Sequence, residues 1–310
     1  MRPGSAPLSS GPQVASSTLI VDPHRPPAFV LSKLGQFSSA SGLEHFLLIG
    51  GAAIDPLLSD NPEVADWDIV IEDDTFNATA IVHALEQASF TVGSPRDYQM
   101  NLDKTAVCFP ARHPTIGTFD VAIVEDLEFF GPFDIESLSV AYPAGLVIDD
   151  HDAIGAIKAK RASLIRPMER ESPAMLAKRL FVLAGKYGIR FGPNSATARA
   201  AESIREGLMS DRTPPPSLPA QAACLAKFLR ALQRADRPRD FLDDALDSRL
   251  LLGAVPPLDA VVRSPSFARA IDRSDRLGSA DLLAAIREID RDGTCADVAA
   301  ALGARVWDHV

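Results

Sequence analysis

The sequence predicts a mixed α/β (α+β) head on a small mixed sheet, followed by an all-α C-terminal module, and three observations predict it. Short apolar runs at 46–50, 67–71 and 118–124 have strand length and alternate with helix-like segments. Beyond Ser172-Pro173 every periodic segment has helical spacing. Charge divides the chain in the same way. From Glu44 to Asp152 the only Lys or Arg residues are Arg96, Lys104 and Arg112. From Lys158 to Arg190 the basic residues Lys158, Lys160, Arg161, Arg166, Arg170, Lys178, Arg179, Lys186 and Arg190 face only Glu169 and Glu171.

In chain order, Met1 to Arg25 is rich in Ser, Pro and Gly, lacks a signal-peptide apolar core and is read as a disordered tail. Pro27 to Leu34 predicts a short leading helix. Residues 46–50 predict a strand, 51–58 a short helix, Asn61-Pro62 a break and 67–71 a second strand. Thr75 is placed to cap a helix through Ser89, whose apolar positions Phe76, Ala80, Ile81, Ala84, Leu85 and Ala88 have helical spacing. Strands are expected at 90–93, 104–109 and 118–124. A short helix from Ile135, a run at Leu146–Asp149, a helix at 152–160 and a small strand at Leu164-Ile165 follow. Helices are then expected at 173–187, stopped by Gly188, and at 194–207, with Pro214-Pro215-Pro216 as a linker. Further helices are expected at 219–234, 238–252, 258–272, 279–289 and 295–302. The expected division is a tail over 1–25, a head over 26–165 and a helical domain over 166–310.

The chain has 310 residues and a formal net charge of −10, which argues against a protein coated in nucleic acid. Mean hydropathy is close to zero, and no apolar run approaches the roughly 18 residues of a membrane span. Cys108, Cys224 and Cys295 are far apart and show no metal-ligand pairing, so reduced thiols and a cytoplasmic location are expected.

Chemistry is concentrated in Phe46-Leu47-Leu48-Ile49-Gly50-Gly51 and in Asp66-Trp67-Asp68. A Gly pair after a buried strand lets backbone approach a phosphate closely. Alternation puts Asp66 and Asp68 on one strand face, with Cα atoms roughly 6.5–7 Å apart, and Trp67 on the other. Two such carboxylates beside a Gly-rich turn can grip divalent cations that carry a triphosphate. Asp120 adds a third acid inside an apolar run, where burial is costly unless a cation or hydrogen bonds offset it. Asp150-His151-Asp152 reads as a turn with a solvated His, Glu125, Asp126 and Glu128 as a solvated face, and Asp73 and Asp74 as caps of the following helix.

This ordered set of Gly50-Gly51, Asp66/Asp68 and Asp120 resembles the nucleotidyltransferase superfamily. The segment from Phe46 to Arg190 is similar to one branch of it, the bacterial CCA-adding enzymes and poly(A) polymerases. That branch opens with Val-Gly-Gly-x-Val-Arg-Asp, matched here by Ile49 to Asp55, and its Asp-x-Asp strand is matched by Asp66 to Val70. Its Arg-Arg-Asp-Phe-Thr-Ile-Asn-Ala motif has a worn counterpart in Phe130 to Ser137, and its Glu-Asp-Pro-x-Arg helix is echoed by Glu171 to Met175. Departures are specific. The first motif's arginine is Ile54 here, the Arg-Arg-Asp triplet is Phe130-Gly131-Pro132, and the base-reading Asp and Arg fall on Ser172 and Met175. Bidentate reading of a base edge in the family's way is therefore not carried over.

The resemblance implies metal-dependent transfer of a nucleoside monophosphate from a nucleoside triphosphate, with ATP favoured, to a hydroxyl acceptor. Asp66, Asp68 and Asp120 would be both catalytic residues and ligands of Mg²⁺ or Mn²⁺. Gly50 and Gly51 would present backbone N–H groups to the triphosphate, with Lys178 and Arg179 as further phosphate or RNA contacts. An RNA 3′ end is the acceptor that fits the basic stretch. A small molecule or protein hydroxyl fits the acidic head, and a nucleotide-binding protein without catalysis fits the eroded motifs.

Overall fold

Strand β1 (Phe46–Ile49) is the hub of the sheet, because its two faces are apolar and both its edges are paired. A computed structural model of the chain describes residues 25–59, 62, 64, 66–73, 77–99, 105–125, 131–166, 171–210 and 216–256. The expected tail, apart from Arg25, and the helices expected at 258–272, 279–289 and 295–302 lie outside them. The remaining strands are β2 (Asp68–Glu72), β3 (Thr91–Val92), β4 (Arg96–Gln99), β5 (Thr105–His113), β6 (Gly117–Val124), β7 (Ser139–Tyr142) and β8 (Leu146–Ile148). Their order is β3-β5-β6-β2-β1-β7-β8, with β4 also paired to β5. β2 and β6 run parallel, and every other pairing among the described residues is antiparallel.

Period-2 alternation gives the sheet two different faces. Leu48, Ile69, Ile71, Val107, Phe109, Phe119, Val121, Ile123 and Val140 belong to the main core. Helix α1 (Ala28–Ser41) buries Val30, Leu34 and Phe37, with Phe37 meeting Phe46, Phe90 and Phe119 at ring-centroid distances of 5.3, 5.7 and 4.6 Å. α2 (Gly50–Leu58) and α3 (Ala78–Gln87) contribute Ala52, Ala53, Ile54 and Leu85 to the same core. The opposite face carries a smaller apolar group, Leu47, Val70, Ala106 and Val124, of which Val70 and Val124 lie in the strands that also hold Asp68 and Asp120. A short helix, α4 (Ala153–Lys158), is capped by Asp152, while buried Asp149 accepts from the Ala153 and Ile154 N–H groups.

The helices α5 (Pro173–Tyr187), α6 (Ala198–Leu208), α7 (Leu218–Arg234), α8 (Pro238–Asp247) and α9 (Leu250–Ala254) follow. Phe181, Phe191, Phe228 and Phe241 form one aromatic cluster, with centroids 5.2 to 6.3 Å apart in the contacting pairs. Buried Asp244 accepts two bonds from the Arg190 guanidinium, at 2.7 and 2.8 Å, and one from the Phe191 N–H at 2.9 Å. This joins the segment after α5 to α8.

The mixed α/β head with helices following it agrees with the sequence-based fold class, and local departures have local causes. The leading helix runs to Ser41, where Gly42 takes a left-handed cap. α3 is capped by Asn77, whose side chain accepts from the Ala80 N–H, and not by Thr75. Thr75, Phe76 and Asp74 lie outside the described residues, and Asp73 accepts from the Asn77 N–H. β7 was not expected, because its four residues mix buried Ser139 and Val140 with half-buried Ala141 and Tyr142. Leu164 makes a single bridge to Phe133 rather than a strand. Arg249, with φ of 58°, divides the expected 238–252 helix into α8 and α9.

At Gly185 α5 approaches the backbone of α7 closely, since a Cβ there would lie 2.5 Å from the Ala231 carbonyl oxygen. Gly to Ala inside a helix ordinarily stabilises by about 1 kcal/mol. Here backbone has to move, so Gly185→Ala is expected to destabilise by roughly 1–3 kcal/mol in urea unfolding. A stabilised variant would show that the two helices do not cross at this point.

Candidate active site

The parallel ladder of β2 and β6 pairs Asp68 with Asp120, so the two carboxylates start from neighbouring Cα positions on one sheet face. The Asp120 N–H also bonds to the Trp67 carbonyl at 2.9 Å, which locks the register at this end. Burial, and then the charges of Asp120 and Asp66, push the Asp68 carboxyl up to about 6, while Lys186 and Arg179 pull it down. Burial followed by Asp66 raises Asp120 as well. Cys108 of β5, on the same face, is pushed up to about 11 by burial and by both acids. Asp66 lies just ahead of β2 and is exposed. Trp67 packs on the main core, with the Lys33 ammonium 5.7 Å from its ring centroid.

Gly50 and Gly51 form the first turn of α2, directly after β1. Gly50 has φ of 67°, and a Cβ there would sit 2.5 Å from Asp68 Oδ2, so a side chain would both strain the backbone and displace the carboxylate. No side chain caps α2, whose first N–H groups have no partner within the helix. A Cβ on Gly51 would meet Lys186 Nζ at 2.6 Å. Lys186 pairs with Asp55 at 2.7 Å, and the Tyr187 hydroxyl donates to Asp55 at 3.1 Å, tying α5 to α2. Burial and Asp55 raise the Tyr187 phenol far above its ordinary value.

Lys178 and Arg179 are neighbours in sequence but turn different ways. Arg179 Nε meets Glu136 at 3.1 Å, beside the sheet, and its charge acts on Asp68. Burial raises the Glu136 carboxyl against that pairing. Lys178 is half-buried and is lowered by burial and by Arg179, with buried Cys224 of α7 acting in the opposite sense. Sequence reasoning did not single out Lys186, although it stands two helical turns from Arg179, on the same side of α5.

Ser172 is the residue ahead of α5, and Met175 is half-buried in its first turn. Gly131 lies against Glu136, and Phe130 is outside the described residues, as are Asp126 and Glu128. His151 is exposed in the turn before α4. A cavity of about 250 Å³, lined by Lys160, Gly188, Arg190, Asp236 and Phe241 among others, includes none of Asp66, Asp68 and Asp120.

Among the described residues no three His, Cys, Asp or Glu side chains are gathered tightly enough to hold a metal ion by themselves. The donor chemistry of Asp68 and Asp120 nevertheless fits Mg²⁺, which takes one or two carboxylates and completes its shell with water and substrate phosphates. Asp68 is half-buried and Asp120, expected from its apolar run to be buried, is exposed at the sheet surface; two such repelling carboxylates are also the kind of pair that a divalent cation relieves.

No protein-family model matches the sequence, and no curated protein matches it. Solved structures do match in fold. A CCA-adding enzyme in complex with CTP aligns with a TM-score of 0.60 at 13% identity, over 90% of this chain and 70% of that one. An apo form of a CCA-adding enzyme gives 0.58 at 16%, over 89% and 65%. The Thermotoga maritima CCA-adding enzyme complexed with tRNA gives 0.56 at 14%, over 87% and 64%. The chain thus spans about two thirds of the length of these enzymes, and what it shares with them is the fold.

Since the folded protein raises the Asp68 carboxyl from 3.8 to about 6, its ionised form opposes folding in the absence of metal. The penalty is absent below about pH 4, grows through the window up to about 6 and is constant above it. Asp68→Asn is therefore expected to match the wild type near pH 4 in chelator and to exceed it by on the order of 2 kcal/mol at pH 7. A pH-independent difference in urea midpoints would mean that Asp68 and Asp120 do not repel in the fold.

Proposed function

We propose that this chain is a divalent-metal-dependent nucleotidyltransferase that moves a nucleoside monophosphate from a nucleoside triphosphate to the 3′ hydroxyl of an RNA. The observation that carries this reading is the Asp68–Asp120 pair in register across β2 and β6, with Gly50 against it at the start of α2. Fold neighbours that include enzymes bound to CTP and to tRNA support the nucleotide and RNA parts of it. ATP is the triphosphate of first choice, by the resemblance to poly(A) polymerases.

Each residue then has a defined task. Asp68 and Asp120, joined by Asp66, would hold Mg²⁺ or Mn²⁺, which when bound acidifies the attacking hydroxyl and stabilises the pyrophosphate leaving group. Asp120, whose carboxyl is more basic than usual, faces the acceptor side and takes part in removing its proton. The N–H groups of Gly50 and Gly51 receive the triphosphate at the positive end of α2. Lys186 stands beside that turn, braced by Asp55, and adds positive charge where phosphate oxygens arrive. Arg179, held by Glu136, lies on the same side of α5 and contributes in the same direction.

Asp68→Ala, Asp66→Ala and Asp120→Ala are each expected to abolish incorporation from an α-labelled nucleoside triphosphate while the protein stays folded by circular dichroism. Wild-type protein is expected to label total RNA, most strongly with ATP, and to leave an RNA-free lysate unlabelled. Labelling confined to the RNA-free lysate would replace RNA with a small-molecule or protein acceptor. Full activity in the Asp68 variant would remove the mechanism. Tight metal-independent nucleotide binding with no transfer to anything would favour a binding protein instead.

A further inference from the structure

One rung of the sheet runs Pro110–Asp120–Asp68–Ile49 across β5, β6, β2 and β1, with all four side chains on the same face. The rung on one side of it carries Arg112 opposite Thr118, and the rung on the other carries Arg96, half-buried Cys108 and half-buried Ala122. Alternation keeps these residues on the acid-bearing face. Arg112 is a diagonal neighbour of Asp120, with Cα atoms roughly 7–8 Å apart. Arg96 lies one strand further out, roughly 12 Å from Asp120. Arg96, Pro110, Arg112, Thr118 and Asp120 are all exposed. Only three Lys or Arg residues occur between Glu44 and Asp152, and two of them stand here, beside the acids. Protection of a sheet edge accounts for a charge on β4, which pairs only with β5 among the described residues. It does not account for Arg112, whose strand is paired there on both sides, to β3 and to β6.

The two sides of the acid pair differ in what they offer. On the Ile49 side Gly50 opens the α2 turn against Asp68, and Lys186 stands beside Gly51. On the Pro110 side lie the two arginines. In an in-line displacement the attacking hydroxyl and the leaving pyrophosphate stand on opposite sides of the transferred phosphorus. With the triphosphate received at α2, the acceptor therefore approaches over β5. A nucleic-acid acceptor brings its own negative charge there, toward carboxylates that repel it. Arginine offsets that repulsion, and its planar fork matches two phosphate oxygens at once.

We infer that Arg112 and Arg96 bind the last phosphodiesters of the acceptor RNA on the open face of the sheet, with the 3′-terminal ribose over Pro110 and its hydroxyl at Asp120. This rests on the proposed transfer to RNA, and adds the side from which the acceptor enters and the residues that hold its end. Arg112 takes the phosphate nearest the reacting hydroxyl, and Arg96, further from Asp120, takes the one before it. Both contacts are to the backbone, so the subsite is tolerant of acceptor sequence.

The test combines anisotropy on a labelled single-stranded RNA oligonucleotide with a free 3′ hydroxyl, at several salt concentrations, with initial rates of transfer from labelled ATP. Arg112→Gln should weaken RNA binding roughly tenfold, the worth of one charge-assisted contact. It should also flatten the log–log salt slope by about 0.7, and Arg96→Gln/Arg112→Gln together by about 1.4. KM for RNA should rise in step, while KM for ATP and calorimetric binding of Mg-ATP stay unchanged. Arg112→Lys should keep the salt slope and lose part of the affinity. Arg205→Gln, which removes the same charge from α6, should change neither. Unchanged RNA affinity and slope in the double variant would overturn the subsite. So would an equal loss in Arg205→Gln, or a loss of Mg-ATP binding with RNA binding intact. Because binding is read without turnover, RNA binding that depends on the arginines but leads to no transfer would remove the transfer reading and leave the subsite standing. A wild type that transfers to a small hydroxyl and binds no RNA would overturn the subsite and leave transfer itself standing.

Discussion

Two carboxylates on adjacent parallel strands repel each other, and the protein accepts that cost at the point where β2 and β6 lie in register. The Cα positions of Asp68 and Asp120 are fixed as neighbours by backbone pairing, which limits how far the two carboxylates can move apart. Gly50 gives the Asp68 carboxylate room against the start of α2, and Arg179 and Lys186 of α5 offset part of its charge. The sheet face opposite carries the large apolar side chains, and α1, α2 and α3 cover it. Stability is thus concentrated on one face while the other keeps a charge arrangement that only a cation satisfies fully.

α5 connects this site to the helices that follow. Asp55 receives both Lys186 and Tyr187, which fixes the end of α5 beside the Gly turn. Glu136 receives Arg179 from the middle of the helix. On the other side Gly185 lets α7 approach to backbone contact, and Phe181 joins the aromatic cluster with Phe228. One helix therefore carries charge toward the acids and apolar surface toward α7.

The acids, the Gly pair and the strands around them were legible because alternation and apolar run length are local properties. Gly50-Gly51 falls at a strand-to-helix junction, and Asp68 and Asp120 fall on strands, where those patterns place them. β4 and β7 were not legible. Each has four residues, β4 is polar, and each is a strand only because β5 or β1 supplies an edge. Basic residues on helices were ambiguous for a related reason: a charge along an amphipathic helix looks the same whether it faces solvent or a site. Lys178 and Arg179 stand next to each other in the sequence, yet one turns to α7 and the other to Glu136, which only the packing of α5 decides.

The central claim is that Asp68 and Asp120 together form one divalent-cation site that a nucleotide completes. The most direct test is the melting temperature of wild type, Asp68→Asn and Asp120→Asn with Mn²⁺ and a non-hydrolysable ATP analogue, each alone and combined. The account predicts a clear rise for wild type with both added, about 2.7 kcal/mol at a hundredfold excess over the dissociation constant, and a much smaller rise in either variant. An equal rise in all three proteins, or none in the wild type at saturating metal and nucleotide, would contradict it.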